Sequence, residues 1–112
     1  QISSVTVTGK SDNTAVTIDT YVGNEFTTAK YLVQAIDLGT PNKFHVVELM
    51  VTYDGSNDTS GVYISQYGLI TNTGELGTFD VTYNTGNINV IFTPNYTPVS
   101  MNLRALRMAI VT

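Results

Sequence analysis

The sequence predicts an all-β protein of about eight mainly antiparallel strands, forming a sandwich or a small, partly open barrel with a detachable N-terminal strand. Three observations carry that expectation. Runs of β-branched and aromatic residues with period-two alternation recur along the chain. Clusters of Gly, Asn and Asp separate them, and no helical pattern competes. Arg104 to Ile110 has the propensity for a short helix, but it is uncapped and followed by β-branched residues.

The elements follow in order. Ile2 to Thr8 sets Val5 and Val7 on one face and Thr6 and Thr8 on the other, and the turn-rich Gly9-Lys10-Ser11-Asp12-Asn13 ties it to the rest. Ala15 to Asp19 places Val16 and Ile18 together. Thr28 to Asp37 is a longer apolar run, expected to be a central strand covered on both faces. Phe44 to Tyr53 has Val47, Leu49, Val51 and Tyr53 in phase. A turn at Asp54 to Asp58 leads to Val62–Ile70, and Asn72-Thr73-Gly74 breaks the chain again. Thr78 to Tyr83 points Phe79, Val81 and Tyr83 inward, and Asn84-Thr85-Gly86 makes a tight hairpin to Asn87–Thr93 because Asn and Gly tolerate positive φ. In the last strand, Val99 to Val111, the apolar series passes from odd positions (Val99, Met101, Leu103) to even ones (Leu106, Met108, Ile110). That phase change predicts a β-bulge near Arg104 or Ala105.

At 112 residues the chain is the size of one domain. It divides into an N-terminal strand (1–9), a short linker (10–13) and the β-domain (14–112). Only 12% of residues are charged, about half the usual share. Thr and Asn cover the surface instead, as in extracellular or virion β-proteins. A net charge of −4 leaves no basic stripe for phosphates, so nucleic acid is not an expected partner. Membrane insertion is not expected either, since no apolar run approaches the roughly 20 residues of a spanning helix. The chain has no cysteine, and it begins at Gln1 rather than Met, as a processed or excerpted chain would.

Little in the sequence suggests catalysis. His45 is the only histidine, and alternation sends it to the opposite face from Glu48, so it reads as a structural residue with one hydrogen bond. No catalytic residues and no cofactor are expected. Asp54, Ser56 and Asp58 have the oxygen spacing that opens a calcium loop, but Thr59 and Ser65 stand where Gly and a bidentate Glu belong. A turn reading is preferred, with weak calcium binding as the alternative and otherwise no metal. Of seven tyrosines, Tyr31, Tyr53 and Tyr83 read as packing residues, whereas Tyr21, Tyr63, Tyr67 and Tyr96 are candidates for stacking on sugars. Asn57 and Asn95 satisfy the glycosylation pattern in predicted turns.

From about Asp12 onward the order of motifs resembles a small β-domain that recurs in virion structural and fibre proteins of cyanophages and other tailed phages of aquatic bacteria. The residues that carry the resemblance are Thr17-Ile18-Asp19, Ala29-Lys30-Tyr31-Leu32-Val33-Gln34, Glu48, Asp54-Gly55, Tyr67-Gly68, Leu76-Gly77-Thr78-Phe79-Asp80, Gly86-Asn87, Thr93-Pro94 and Arg107 to Ile110. Pro41-Asn42-Lys43 and Ser60-Gly61 look like small insertions. The resemblance implies a non-enzymatic structural role at a virion surface or outside the cell, with other copies of the chain as partners. Its domains are often embedded in long proteins, so a free-standing subunit would build its fibre by self-association.

An open sheet edge is a template for a further strand. Ile2, Val5 and Val7 are therefore candidate self-association residues, each contributing roughly 1.5 to 3 kcal/mol if fully buried in a neighbour. The expectation is a self-assembling filament subunit whose N-terminal strand either completes a neighbouring subunit or folds back on its own sheet. The alternative is a glycan-binding fibre module with surface glycans as partners.

Overall fold

The computed structural model describes residues 2–111; the Ile2 side chain, at one of the three candidate self-association positions, lies outside what is described. Eight strands run through the described residues: β1 (Ile2–Lys10), β2 (Val16–Val22), β3 (Phe26–Asp37), β4 (Lys43–Tyr53), β5 (Val62–Thr71), β6 (Gly77–Asn84), β7 (Asn87–Pro94) and β8 (Met101–Val111). They form two antiparallel sheets, of order β1-β8-β3-β4-β5 and β2-β7-β6. The sheets pack as a sandwich rather than closing into a barrel.

Alternation decides which residues enter the space between the sheets. β4 buries His45, Val47, Leu49, Val51 and Tyr53; β3 buries Ala29, Tyr31, Val33 and Ala35. From the smaller sheet come Ile18, Tyr21, Phe79, Val81, Ile88, Val90 and Phe92. Phe79 and Phe92 meet at 4.9 Å between ring centroids, and the His45 ring stands edge-on to both. Each such buried apolar side chain contributes roughly 1.5 to 3 kcal/mol by leaving water.

The outer faces of the two sheets differ in chemistry. On the smaller sheet Thr20, Asn89 and Thr82 form a hydrogen-bonded row across all three strands, with Thr78 and Asp80 exposed alongside. On the larger sheet Leu32, Met50, Tyr67, Leu106, Met108 and Ile110 face outward and are exposed.

Three sequence expectations are corrected here. β8 has no bulge at Arg104 or Ala105: its pairing with β3 runs unbroken from Thr28 opposite Ile110 to Asp37 opposite Met101. Its odd residues stay inward through Ala109, because Ala105 and Ala109 fill the interior where a larger side chain was expected, and only Val111 at the strand's end is exposed. The even series Leu106, Met108, Ile110 therefore lies outside. Nor is β3 covered on both faces, since Leu32 and Gln34 are exposed. The hairpin between β6 and β7 is a two-residue turn, Thr85-Gly86, rather than three residues; Asn84 pairs directly with Asn87, and Thr85 and Gly86 have φ of 48° and 88°. Positive φ at both central positions matches the right-handed twist of the flanking strands.

Candidate functional site

β1 occupies one edge of the larger sheet. In this single chain it pairs with β8, from Ile2 opposite Met108 to Val7 opposite Leu103, and after an irregularity again at Lys10 opposite Met101. Val5 and Val7 are half-buried against the core. Gly9 sits in that irregularity, with φ +68° and its N–H donating to Asn102 Oδ1 at 3.0 Å, and the connection to β2 follows Lys10. Asp12 gathers that connection: Lys10 Nζ at 2.7 Å, the Thr14 N–H at 3.1 Å and the Thr14 hydroxyl at 2.6 Å all donate to its Oδ1. The Lys10 and Thr14 hydrogen bonds hold its carboxyl down at about 2.

Beneath β1 lies a polar cluster between the sheets. Asp19, on β2, accepts from the Tyr31 hydroxyl at 2.6 Å and from Arg107 Nη1 at 2.9 Å. Both ionic partners are largely buried. Burial, reinforced by the Asp19 charge, pushes the Tyr21 hydroxyl up to about 12 and the Tyr31 hydroxyl higher still. Arg107 also stands 5.7 Å from the Phe26 ring. These groups hold β2 against β3 and β8.

A second anchor closes the far end of β3. The buried Asp37 carboxylate accepts from the Tyr96 hydroxyl at 2.8 Å, the Ser100 N–H at 2.8 Å and the Val99 N–H at 3.1 Å. Burial alone would raise its pKa, but the hydrogen bonds from Ser100, Tyr96 and Val99, with the Lys43 charge, hold it below the usual value.

His45 is fully buried. Its Nδ1 accepts the Leu76 N–H at 3.1 Å, which leaves the proton on Nε2, and Glu48 is on the other face of β4. Burial lowers its pKa. Among the described residues, no group of three or more His, Cys, Asp or Glu gathers to hold a metal ion. The carboxylates considered for calcium instead organise their own loop: Asp54 Oδ1 accepts the Ser56 N–H at 2.9 Å, and Asp58 Oδ1 accepts the Ser60 N–H at 3.3 Å at the start of a 3-10 turn.

The tyrosines separate into two groups. Tyr63 and Tyr67 are exposed on β5, at the other edge of the larger sheet, and Lys30 lies over the Tyr67 ring. Tyr21 is buried, and Tyr96 is held by Asp37 with Lys43 over its ring, so neither offers a free face to a sugar. A different aromatic site appears at the loop end of the sandwich, where Tyr53 and Tyr83 stack at 5.4 Å. Both hydroxyls donate to Asn57 Oδ1, at 3.3 and 3.0 Å, and Asn57 adopts φ +58°. A groove runs past this pair between Asn24 and Asn87. The Asn57 side chain is thus committed to the tyrosines, and Asn95 Nδ2 donates to the Glu75 carbonyl at 3.0 Å.

No protein-family profile matches the chain, and no curated protein sequence does. Among solved structures, the tailspike protein of Acinetobacter phage vB_ApiP_P1 matches 97% of the chain, with a TM-score of 0.66 and 19% identity. The chain has the fold of a phage-tailspike domain. The tailspike gp49 of Acinetobacter baumannii bacteriophage Fri1, a capsular polysaccharide depolymerase, also matches 97% of the chain, with a TM-score of 0.51 and 11% identity. The chain spans 22% of the first tailspike and 18% of the second. What it shares with them is the domain fold.

Sequence reasoning missed the Asp19–Arg107 pair, the Asp37 anchor and the apolar outer face. Arg107 did carry a signal. It is in phase with Met101, Leu103 and Ala105, and a cation in a core-facing series calls for a buried anion.

Proposed function

We propose that this chain is a non-enzymatic structural domain of a virion fibre, or of an extracellular filament built like one, and that it self-associates by inserting β1 into a neighbouring copy. The observation that carries the reading is the likeness of nearly the whole chain to one domain-length segment of a phage tailspike. Two further features support strand insertion. β1 is an edge strand, and its ladder with β8 is interrupted near its C-terminal end, around Gly9 of positive φ. A β1 from another copy would meet the same β8 register and the same half-buried positions for Val5 and Val7. The resemblance to cyanophage fibre domains supports the same virion setting.

The test is negative-stain imaging of the full chain beside a variant lacking Gln1 to Gly9. The full chain is expected to form filaments or large oligomers, and the shortened one to remain dispersed. Filaments from the shortened chain would rule out strand insertion.

A second reading is a glycan-binding module, favoured by the exposed Tyr63 and Tyr67 and by the amide-lined groove beside Tyr53 and Tyr83. Glycan-array binding by dispersed monomer, lost in Tyr67→Ala or Tyr83→Ala, is its expected signature.

A further inference from the structure

We infer that the outer face of the five-stranded sheet is a contact surface for a second copy of this chain, separate from any exchange of β1. The inference rests on the reading of the chain as a self-associating domain. It starts from the contrast between the two outer faces. A sheet face bound for water carries Thr, Asn and Asp, as the smaller sheet does. The larger sheet instead exposes Leu32 (48%), Leu106 (52%), Met108 (54%) and Ile110 (64%), with Met50 and Tyr67 on the neighbouring strands. Register groups them: Leu106 lies directly opposite Leu32, and Met108 opposite Lys30, whose other cross-strand neighbour is Met50.

Area argues for a folded partner rather than a peptide or a small ligand. Five strands of up to 12 residues make a face of about 24 by 40 Å, on the order of 900 Å². A standard protein interface buries about 800 Å² on each side, so the whole face has the extent of one.

Shape and charge argue that the partner is the same chain. The face carries an open groove of about 360 Å³ lined by Thr6, Leu32, Gln34, Val46, Arg104 and Leu106. Further along β8, Met108 and Ile110 are more than half exposed. A hollow and exposed apolar side chains thus occur on one surface, as a self-complementary contact requires. The charges on the face have both signs, Lys30 pairing with Glu48 at 3.9 Å and Arg104 standing apart, so two copies meet without a block of like charge.

Sedimentation velocity of the 112-residue chain across a concentration series tests this, with Leu106→Glu as the probe, Leu106→Met as the conservative variant and Thr82→Glu as a control on the polar sheet. The wild-type chain, Leu106→Met and Thr82→Glu are expected to associate, whereas Leu106→Glu keeps its circular dichroism spectrum and weakens association at least about thirtyfold. Should Leu106→Glu fail to fold, Met108→Lys is read in its place. Unchanged association of the folded face variant overturns the inference and leaves the self-association reading standing. Association abolished by removing residues 1–9 but unaffected by the face variant also overturns it. A wild-type chain that stays monomeric throughout overturns both.

Discussion

Removing the Asp37 carboxylate is the most informative single change to the fold. It sits at the last residue of β3 and accepts the Val99 and Ser100 N–H groups and the Tyr96 hydroxyl, so one side chain fixes the crossover from β7 to β8. Next to it the Leu38 N–H donates to the Ser100 carbonyl at 2.9 Å, which closes the ring of contacts. Asp37→Ala leaves three donors without an acceptor. Hydrogen bonds to a charged group contribute about 1.5 to 3 kcal/mol each. They are not additive, and the buried carboxylate's own desolvation is recovered on its removal, so a net loss of about 3 kcal/mol is expected. At about 4 °C per kcal/mol for a domain of this size, the melting temperature falls by about 12 °C. Asp37→Asn keeps one carbonyl oxygen but turns an amide donor toward backbone donors, and about half that loss is expected.

The pH dependence supplies the second half of the test. The folded pKa of Asp37 is depressed, so between that value and the unfolded value near 3.9 the unfolded chain binds the extra proton. The stabilisation is therefore complete above about pH 4 and is lost as pH falls through the folded pKa. Thermal melts of the wild type and Asp37→Asn, run from neutral pH to below pH 4, should start apart and converge on acidification. Equal melting temperatures at neutral pH, or a gap that does not narrow in acid, would refute the assignment of Asp37 as the crossover's anchor.

Three other outcomes are expected. His45 is buried and its pKa is lowered, so the unfolded chain protonates first, near pH 6.5, and stability falls as pH drops below that value, by at most about 1.4 kcal/mol per unit; urea midpoints of His45→Gln should lack that slope. Arg107→Met strands the Asp19 carboxylate beside Tyr31 alone and should lower stability by about 3 to 5 kcal/mol, with much of the loss recovered in the Asp19→Asn, Arg107→Met double variant. Thr85 is a β-branched residue at φ 48° in a two-residue turn, so Thr85→Asn should raise the melting temperature by a few degrees, about 0.5 to 1 kcal/mol.

How much was legible in the sequence depended on whether the deciding contact was local. β4 could be read because Val47, Leu49, Val51 and Tyr53 keep one phase, with polar Glu48 and Thr52 in the other, and all four point inward. β8 was misread for a physical reason. Its interior positions after Leu103 hold Ala105, Arg107 and Ala109, while the larger apolar side chains face out, and a reader of hydrophobicity follows the larger ones. The two-residue hairpin turn was visible in Asn84-Thr85-Gly86-Asn87 except for its length. The anchors were hidden because their partners are remote: Asp37 meets Ser100 from 63 residues away, and Asp19 meets Arg107 from 88. Of the tyrosines proposed for sugar, the sequence could not show that Tyr21 turns inward while Tyr63 and Tyr67 turn outward, because that depends on which face of β2 and β5 the second sheet covers.

β8 also determines how the two proposed contacts between copies relate in energy. Exchange of β1 replaces one β1 with an identical one on the same β8 edge, so the ladder hydrogen bonds and the burial of Val5 and Val7 are the same before and after. Exchange alone therefore adds almost no favourable free energy; it is governed by the concentration of copies and by the Asp12-centred connection that must open to release the strand. Burial of the outer face differs in kind, because Leu32, Leu106, Met108 and Ile110 are exposed in the monomer whichever copy supplies β1. At about 25 cal/mol per Å² of apolar surface removed from water, that face provides a driving force that strand exchange lacks. The proposed strand exchange would in turn make the joined state slow to come apart, since leaving would require β1 to unzip from β8. In the proposed fibre the two contacts would be complementary, one carried by outer side chains of β3 and β8 and the other by the ladder between β1 and β8.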